Sequence, residues 1–94
     1  MSYFAVHYVY SPNADPDGVR PAHRAYLREL AEAGELVASG PLVGAETPGA
    51  LLIMRADHHD RVADLLAQDP FAASGVIASR TITQWDPVIG VFAG

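Results

Sequence analysis

The chain begins with an almost continuous run of aromatic and β-branched residues, YFAVHYVY at positions 3–10. Such a run is typical of a β-strand that is covered on both faces. The dense Pro, Asn, Asp and Gly cluster that follows at 11–18 predicts a loop. Three further segments have a strand-like pattern: residues 35–44, where the strand is expected to end at the Gly40-Pro41 break, and residues 51–56 and 77–86. The terminal VIGVFAG, residues 88–94, is a candidate for one more short strand.

Between the first two strand segments the hydrophobic period changes to three or four residues. Apolar positions and His23 recur along one side, while Arg20, Arg24, Arg28 and Glu32 line the other. A proline in the first turn and Gly34 at the end are typical helix boundaries: together they predict a helix over residues 20–33.

A second helical pattern lies between the third and fourth strand segments. Asp57 is the candidate N-cap, and apolar residues at helical spacing continue the pattern to about Gln68. Asp69 followed by Pro70 is typical of a further cap with proline in the first turn, so a short helical segment is predicted after it.

The predicted order is strand, helix, strand, strand, helix, strand. One antiparallel sheet with both helices on one face accommodates this order, which is a ferredoxin-like α+β fold. The other face of the sheet would then lie exposed; it carries residues such as Tyr8, Val9 or Ile53, and the sequence leaves open which of the two alternating sets it is. Because exposed apolar surface of that extent is typical of an interface, we expect a homodimer.

Composition narrows the class of protein. With 94 residues, half of them apolar, the chain is expected to form one domain over residues 1–94 rather than a disordered segment. The net charge of −5 argues against a nucleic-acid partner. The absence of cysteine excludes disulfides and thiol chemistry, and neither a signal peptide nor a membrane span is apparent. We therefore expect a cytoplasmic protein without a membrane partner.

His23 and Asp69 are the residues that suggest chemistry. His23 lies on the apolar side of the first predicted helix, where an imidazole could transfer protons once a partner holds its tautomer. Asp69 is the partner of suitable type, since one carboxylate oxygen can cap a helix while the other accepts from the imidazole. The alternatives are a structural histidine bonded to a backbone carbonyl and an aspartate that is only a helix cap.

Other residues are weaker candidates. Ser39, Gly40 and Pro41 end an apolar strand where backbone could approach a small ligand, although a simple bend explains them equally well. His7 lies mid-strand and is expected to face a ligand or a partner subunit. Neighbouring residues on a helix point about 100° apart, so His58 and His59 do not predict a metal site. No nucleotide-binding motif occurs, and we expect neither a cofactor nor a metal.

Four segments taken together resemble the YCII-related (YciI-like) family: RPAH at 20–23, ELVASGPL at 35–42, DPFAASGV at 69–76 and QWDP at 84–87. The resemblance implies a dimeric α+β barrel in which two ferredoxin-like sheets pack face to face. It also implies an active-site His–Asp pair, which corresponds to His23 and Asp69. Dehydrochlorinases of chloroaromatic degradation belong to this family, and muconolactone isomerases share its fold.

Two classes of function remain open at the level of sequence. The first is a small cofactor-independent lyase or isomerase that uses His23 as general base on a small ring or halogenated compound, with Asp69 orienting it and backbone near Gly40 as oxyanion donor. The second is a dimeric ligand-binding or accessory module without catalysis. A purely structural dimer is a third reading.

Overall fold

The computed structural model describes residues 1–93, and a four-stranded antiparallel sheet forms its centre. The strands are β1 (Ser2–Tyr10), β2 (Leu36–Pro41), β3 (Gly49–Ala56) and β4 (Ile77–Trp85). Their spatial order is β2-β3-β1-β4, so the two strands richest in buried residues, β1 and β3, occupy the middle. This order is that of the predicted ferredoxin-like fold.

Three helices connect the strands: α1 (Arg20–Glu32), α2 (His59–Ala67) and α3 (Pro70–Ala73). The predicted bounds of α1 agree with the structure to within one residue. Gly34 follows the end of α1 with a φ of 80°, a left-handed conformation that glycine adopts without steric cost. A 3-10 turn at Pro16–Gly18 precedes α1 within the predicted loop.

The two faces of the sheet differ sharply along β1. Phe4, Val6 and Tyr8 are buried beneath the helices, whereas His7 between them is exposed. Since side chains alternate along a strand, the residues at odd positions of β1 share the helix-free face. Their partners in β3 and β4 lie on that face as well, including Leu51 and Thr81 opposite His7. Of the three residues that the sequence proposed for this face, Val9 and Ile53 lie on it, and Tyr8 does not.

Both long helices pack on the covered face and share one hydrophobic core with the sheet. The core joins Leu27 and Leu30 of α1 and Val62, Leu65 and Leu66 of α2 to the buried side chains of β1 and β3. The Tyr26 hydroxyl donates a hydrogen bond to the backbone oxygen of Leu65 at 2.7 Å, which ties the two helices together. The helices therefore leave the second face of the sheet without helical cover.

Two local predictions were wrong. Asp57 does not cap α2, because the residue at the N-cap position is His58 and it makes no side-chain capping hydrogen bond. Residues 88–93 form no strand, and Gly94 at the end of that prediction lies outside the described residues. Instead, Phe92 packs against the rings of Tyr3 and Trp85 on the helix-free face, at centroid distances of 6.0 and 5.8 Å.

Candidate active site

His23 and Asp69 meet beneath the helices although 46 positions separate them in the chain. His23 lies in the first turns of α1 on its sheet-facing side and is only 7% exposed. Asp69 is the N-cap of α3 and is fully buried. The distance from His23 Nδ1 to Asp69 Oδ1 is 2.7 Å, a short hydrogen bond typical of a charge-assisted pair. The predicted contact between the two side chains is thus present.

Asp69 accepts two further hydrogen bonds. The backbone N–H of Phe71 donates to Oδ1 at 3.0 Å, which is the helix cap predicted from the Asp-Pro sequence. The hydroxyl of Tyr8 donates to Oδ2 at 2.9 Å. Both oxygens of this buried carboxylate are therefore occupied, and the capping and imidazole-binding roles coexist, as the sequence analysis allowed.

Tyr8 is a site residue that sequence reasoning missed. It is 1% exposed, and its burial raises the pKa of the phenol far above its usual value, with the neighbouring Asp69 charge acting in the same direction. The hydroxyl therefore remains a hydrogen-bond donor at any physiological pH. A signal was available: Tyr8 alternates with Phe4 and Val6, and a buried tyrosine hydroxyl usually has a polar partner.

The orientation of the His23 ring is set from two sides. Its plane stacks on the ring of Phe71, with a centroid distance of 3.7 Å and an interplanar angle of 2°. Its Nδ1 points to Asp69, so the other nitrogen, Nε2, is directed away from the carboxylate. Within residues 1–93 every buried side-chain nitrogen and oxygen has a hydrogen-bond partner. Nε2 of His23 has no hydrogen-bond partner in the protein, so this atom is not fully buried.

His23 and Phe71 form part of the wall of a cavity of about 530 Å³ between α1 and β2. The volume is in the range of small-molecule sites. The three residues predicted from the strand end, Ser39, Gly40 and Pro41, line the same cavity. Because Asp69 occupies Nδ1, Nε2 is the ring nitrogen that remains for a molecule bound in this cavity. The arrangement can accept a proton from a bound molecule.

The remaining histidines lie elsewhere. His7 is exposed on the opposite face of the sheet from His23, so contact with a ligand there would require a second site or a partner subunit. His58 and His59 are exposed at the start of α2. Across residues 1–93 no group of three or more histidine, aspartate or glutamate side chains is arranged to hold a metal ion. Among the described helices, none has the length and apolar character to cross a membrane.

The fold and the site together define the class of protein: a small α+β domain with a buried His–Asp pair beside a cavity. The YCII-related domain matches residues 1–86, and the chain belongs to that family. A protein of Emericella nidulans, "Derivative of benzaldehyde biosynthesis cluster protein C", is 31% identical over 70 residues. That similarity covers 65% of this chain and 71% of the fungal protein.

Several solved structures are similar in fold, including the following two. The 5-chloro-2-hydroxyhydroquinone dehydrochlorinase TftG from Burkholderia phenoliruptrix AC1100, in complex with 2,5-dihydroxybenzoquinone, is 27% identical with a TM-score of 0.79. The match covers 89% of this chain and 93% of TftG. The protein At3g17210 from Arabidopsis thaliana is 10% identical with a TM-score of 0.55, over 98% of this chain and 100% of that protein. The second likeness concerns the fold alone.

Proposed function

We propose that this protein is a cofactor-independent enzyme of lyase or isomerase type that transfers a proton to and from a small ring compound. The single observation that carries the proposal is the buried Asp69–His23 hydrogen bond of 2.7 Å at the wall of a cavity. A carboxylate that holds one imidazole nitrogen directs the other as a base and stabilises the charged ring that forms.

In the proposed reaction, His23 Nε2 removes a proton from a carbon or oxygen of the substrate. The electron pair left behind moves into the ring. In an isomerisation the imidazolium returns the proton at another atom; in a dehydrochlorination the shifted electrons expel chloride, and the proton is later lost to water. Asp69 accepts from the imidazolium throughout, and Tyr8 and the Phe71 N–H keep the carboxylate in place.

The comparisons support this reaction class and this kind of substrate. TftG is a dehydrochlorinase, and its structure holds a dihydroxybenzoquinone. The fungal relative is named for a benzaldehyde biosynthesis cluster, so it too is associated with aromatic compounds. A chlorinated hydroxyhydroquinone is consequently the first substrate to test, followed by unsaturated lactones.

The test compares chloride release and product formation for wild type, His23→Gln and His59→Gln. Glutamine is uncharged and close in size to histidine. His59 is exposed in the first turn of α2, outside the cavity and away from the helix-free face, so its replacement is a matched control. We expect His23→Gln to lower kcat by about 10²–10⁴-fold, the usual contribution of a general base. Equal activity of wild type and His23→Gln would overturn the proposal.

The runner-up is a ligand-binding module without catalysis. It predicts that wild type binds ring compounds in the cavity yet neither releases chloride nor exchanges substrate protons with deuterated solvent. Proton exchange followed by NMR separates the two functions, because a general base catalyses exchange even where the leaving group is wrong.

We also propose that the protein acts as a homodimer through the helix-free face of the sheet. Leu51 and Trp85 are 41% and 38% exposed on that face. The C-terminal segment beside it exposes Val88, Ile89 and Val91 by 74–93%. A second copy would cover this apolar surface. Light scattering is expected to give twice the mass of the chain for wild type, and Leu51→Asp is expected to shift it to the monomer; a monomeric wild type would contradict the proposal.

A further inference from the structure

Half of the basic residues of this acidic protein line one cavity. The chain has six arginines, no lysine and a net charge of −5. Three of the arginines, Arg20, Arg24 and Arg28, belong to the wall of the His23 cavity. They follow one another along α1 at intervals of four residues, the spacing that places side chains on one side of a helix.

No acidic side chain lines the cavity to balance them. Arg20 forms an ion pair with Asp17, which lies outside the cavity wall. For Arg24 and Arg28, no carboxylate of residues 1–93 lies within 4.0 Å. Asp69 is on the far side of His23 and already accepts three hydrogen bonds. The cavity therefore presents two guanidinium groups whose charge is not neutralised by the protein.

The rest of the wall is suited to a flat apolar ring. Leu27, Leu36, Pro41, Ala50 and Phe71 contribute carbon surface. A cavity of about 150 Å³ already accommodates benzene, so the space of about 530 Å³ leaves room for a ring with polar substituents. Tyr10 also lines the cavity, and burial raises the pKa of its phenol, so its hydroxyl remains a hydrogen-bond donor at neutral pH.

We propose that the site selects a small ring compound that carries an oxyanion, a carboxylate or an ionised phenol or enol, and that Arg24 and Arg28 bind this group. The inference rests on the proposed proton transfer at His23 and names its substrate class. Guanidinium groups donate paired hydrogen bonds to such oxygens and are only weakly hydrated, which suits them to this role.

Charge binding also serves the reaction. When His23 removes a proton from an anion, a second negative charge develops on the ring, and the uncharged carbon surface of the cavity does not stabilise it. The arginines at the wall oppose that charge by electrostatic attraction. Without them, proton removal would be harder from an anionic compound than from its neutral analogue.

The test measures binding directly, with two matched pairs of compounds. The first pair is 2,5-dihydroxy-1,4-benzoquinone, an anion at neutral pH, and its neutral 2,5-dimethoxy analogue. The second pair is benzoate and benzamide, which distinguishes a carboxylate from an enolate preference. Dissociation constants are measured by isothermal titration calorimetry or ligand NMR for wild type, Arg24→Gln, Arg28→Gln and the double variant.

Arg80→Gln is the matched control. It removes the same charge from β4, at the opposite edge of the sheet from β2 and outside the cavity. We expect wild type to bind at least one anion about 10-fold more tightly than its neutral partner, and each single cavity variant to lose about 3-fold in affinity for that anion. The double variant is expected to bind both members of the pair equally, and Arg80→Gln is expected to behave as wild type.

Equal affinity for anion and neutral analogue in wild type would overturn the inference, as would an equal loss in Arg80→Gln or the absence of binding by either anion at millimolar concentration. His23→Gln separates this outcome from failure of the proposed function. If His23→Gln keeps both anion binding and full turnover, proton transfer by His23 is wrong while the anion site stands. If His23→Gln loses turnover but wild type binds anion and neutral analogue equally, the anion site is wrong while proton transfer by His23 stands.

Discussion

His7 and His23 show how differently the two faces of one sheet treat the same side chain. His7 is exposed on the helix-free face, with Leu51 and Thr81 as its cross-strand neighbours. His23 reaches the covered face from α1, where Asp69 holds one nitrogen and Phe71 stacks on the ring. The comparison teaches that histidine becomes a candidate base through its surroundings. Helical cover supplies the desolvation, the buried carboxylate and the cavity wall.

The largest expected effect comes from removing the buried carboxylate. Asp69→Ala leaves the Tyr8 hydroxyl, the His23 Nδ1 and the Phe71 N–H without their acceptor. We expect a loss of about 3–5 kcal/mol in the free energy of unfolding, as when one partner of a buried pair is removed. Urea denaturation measures it. Asp64→Ala, at an exposed position of α2, is the control and should stay within about 0.5 kcal/mol.

Two neighbouring leucines of β3 compare the faces directly. Leu52 is fully buried beneath the helices, and Leu51 is 41% exposed on the other side. Leu52→Ala is expected to lower stability by about 3 kcal/mol through the cavity it leaves, and Leu51→Ala by less than about 1 kcal/mol at low protein concentration. If the helix-free face closes a dimer, the effect of Leu51→Ala on thermal stability will grow with protein concentration. Equal losses in dilute solution would contradict the comparison.

A substitution at Gly49 tests whether every position on the helix-free face of the sheet tolerates a larger side chain. A Cβ at Gly49 would lie 2.1 Å from the backbone oxygen of Tyr8, a contact that only a shift of β1 or β3 could relieve. We expect Gly49→Ala to cost about 2–3 kcal/mol by strain. Gly40→Ala meets nothing within 4 Å and is the control, with an expected change near zero. Calorimetry of both variants would refute the explanation if their melting temperatures agreed.

Tyr8→Phe is the smallest of these changes, because it removes one hydroxyl and retains the ring. The lost hydrogen bond to Asp69 is expected to lower stability by about 1–2 kcal/mol at pH 7. The pH dependence is more specific. The unfolded chain releases the Tyr8 proton near pH 10, whereas burial keeps the Tyr8 hydroxyl protonated in the folded state. The stability of wild type therefore falls as pH rises above about 10.

In Tyr8→Phe this part of the alkaline slope, about 1.4 kcal/mol for each pH unit, should disappear. Tyr10 and Tyr26, whose pKa values burial also raises, remain in the variant and retain a weaker slope. Denaturation at pH 9, 10 and 11, ordinary alkaline conditions chosen around the phenol pKa of about 10, measures the difference. Identical slopes in wild type and variant would exclude Tyr8 as a buried donor.

Sequence patterns predicted the strands and α1 well because each segment has its own hydrophobic periodicity and its own boundary residues. Pro21 and Gly34 bound α1, and the Asp69–Pro70 pair marks the start of α3. The prediction failed where the local signal had a competitor. Asp57 is a suitable cap by type, but the chain enters α2 one residue later, with His58 extended at the N-cap. The C-terminal segment is apolar and has strand propensity, but residues 88–93 do not pair with an edge strand of the sheet.

The sequence by itself determined the order of elements, the face that α1 turns to the sheet and the residue types able to move a proton. Those properties follow from short-range periodicity and from the chemistry of single side chains. Only the tertiary structure decided that Tyr8 joins His23 and Asp69, that His7 lies on the other face and that the arginines of α1 border the cavity. The physical reason is the long separation along the chain. Tyr8 and Asp69 are 61 positions apart, and only strand pairing and helix packing bring the Tyr8 hydroxyl to 2.9 Å from Asp69 Oδ2.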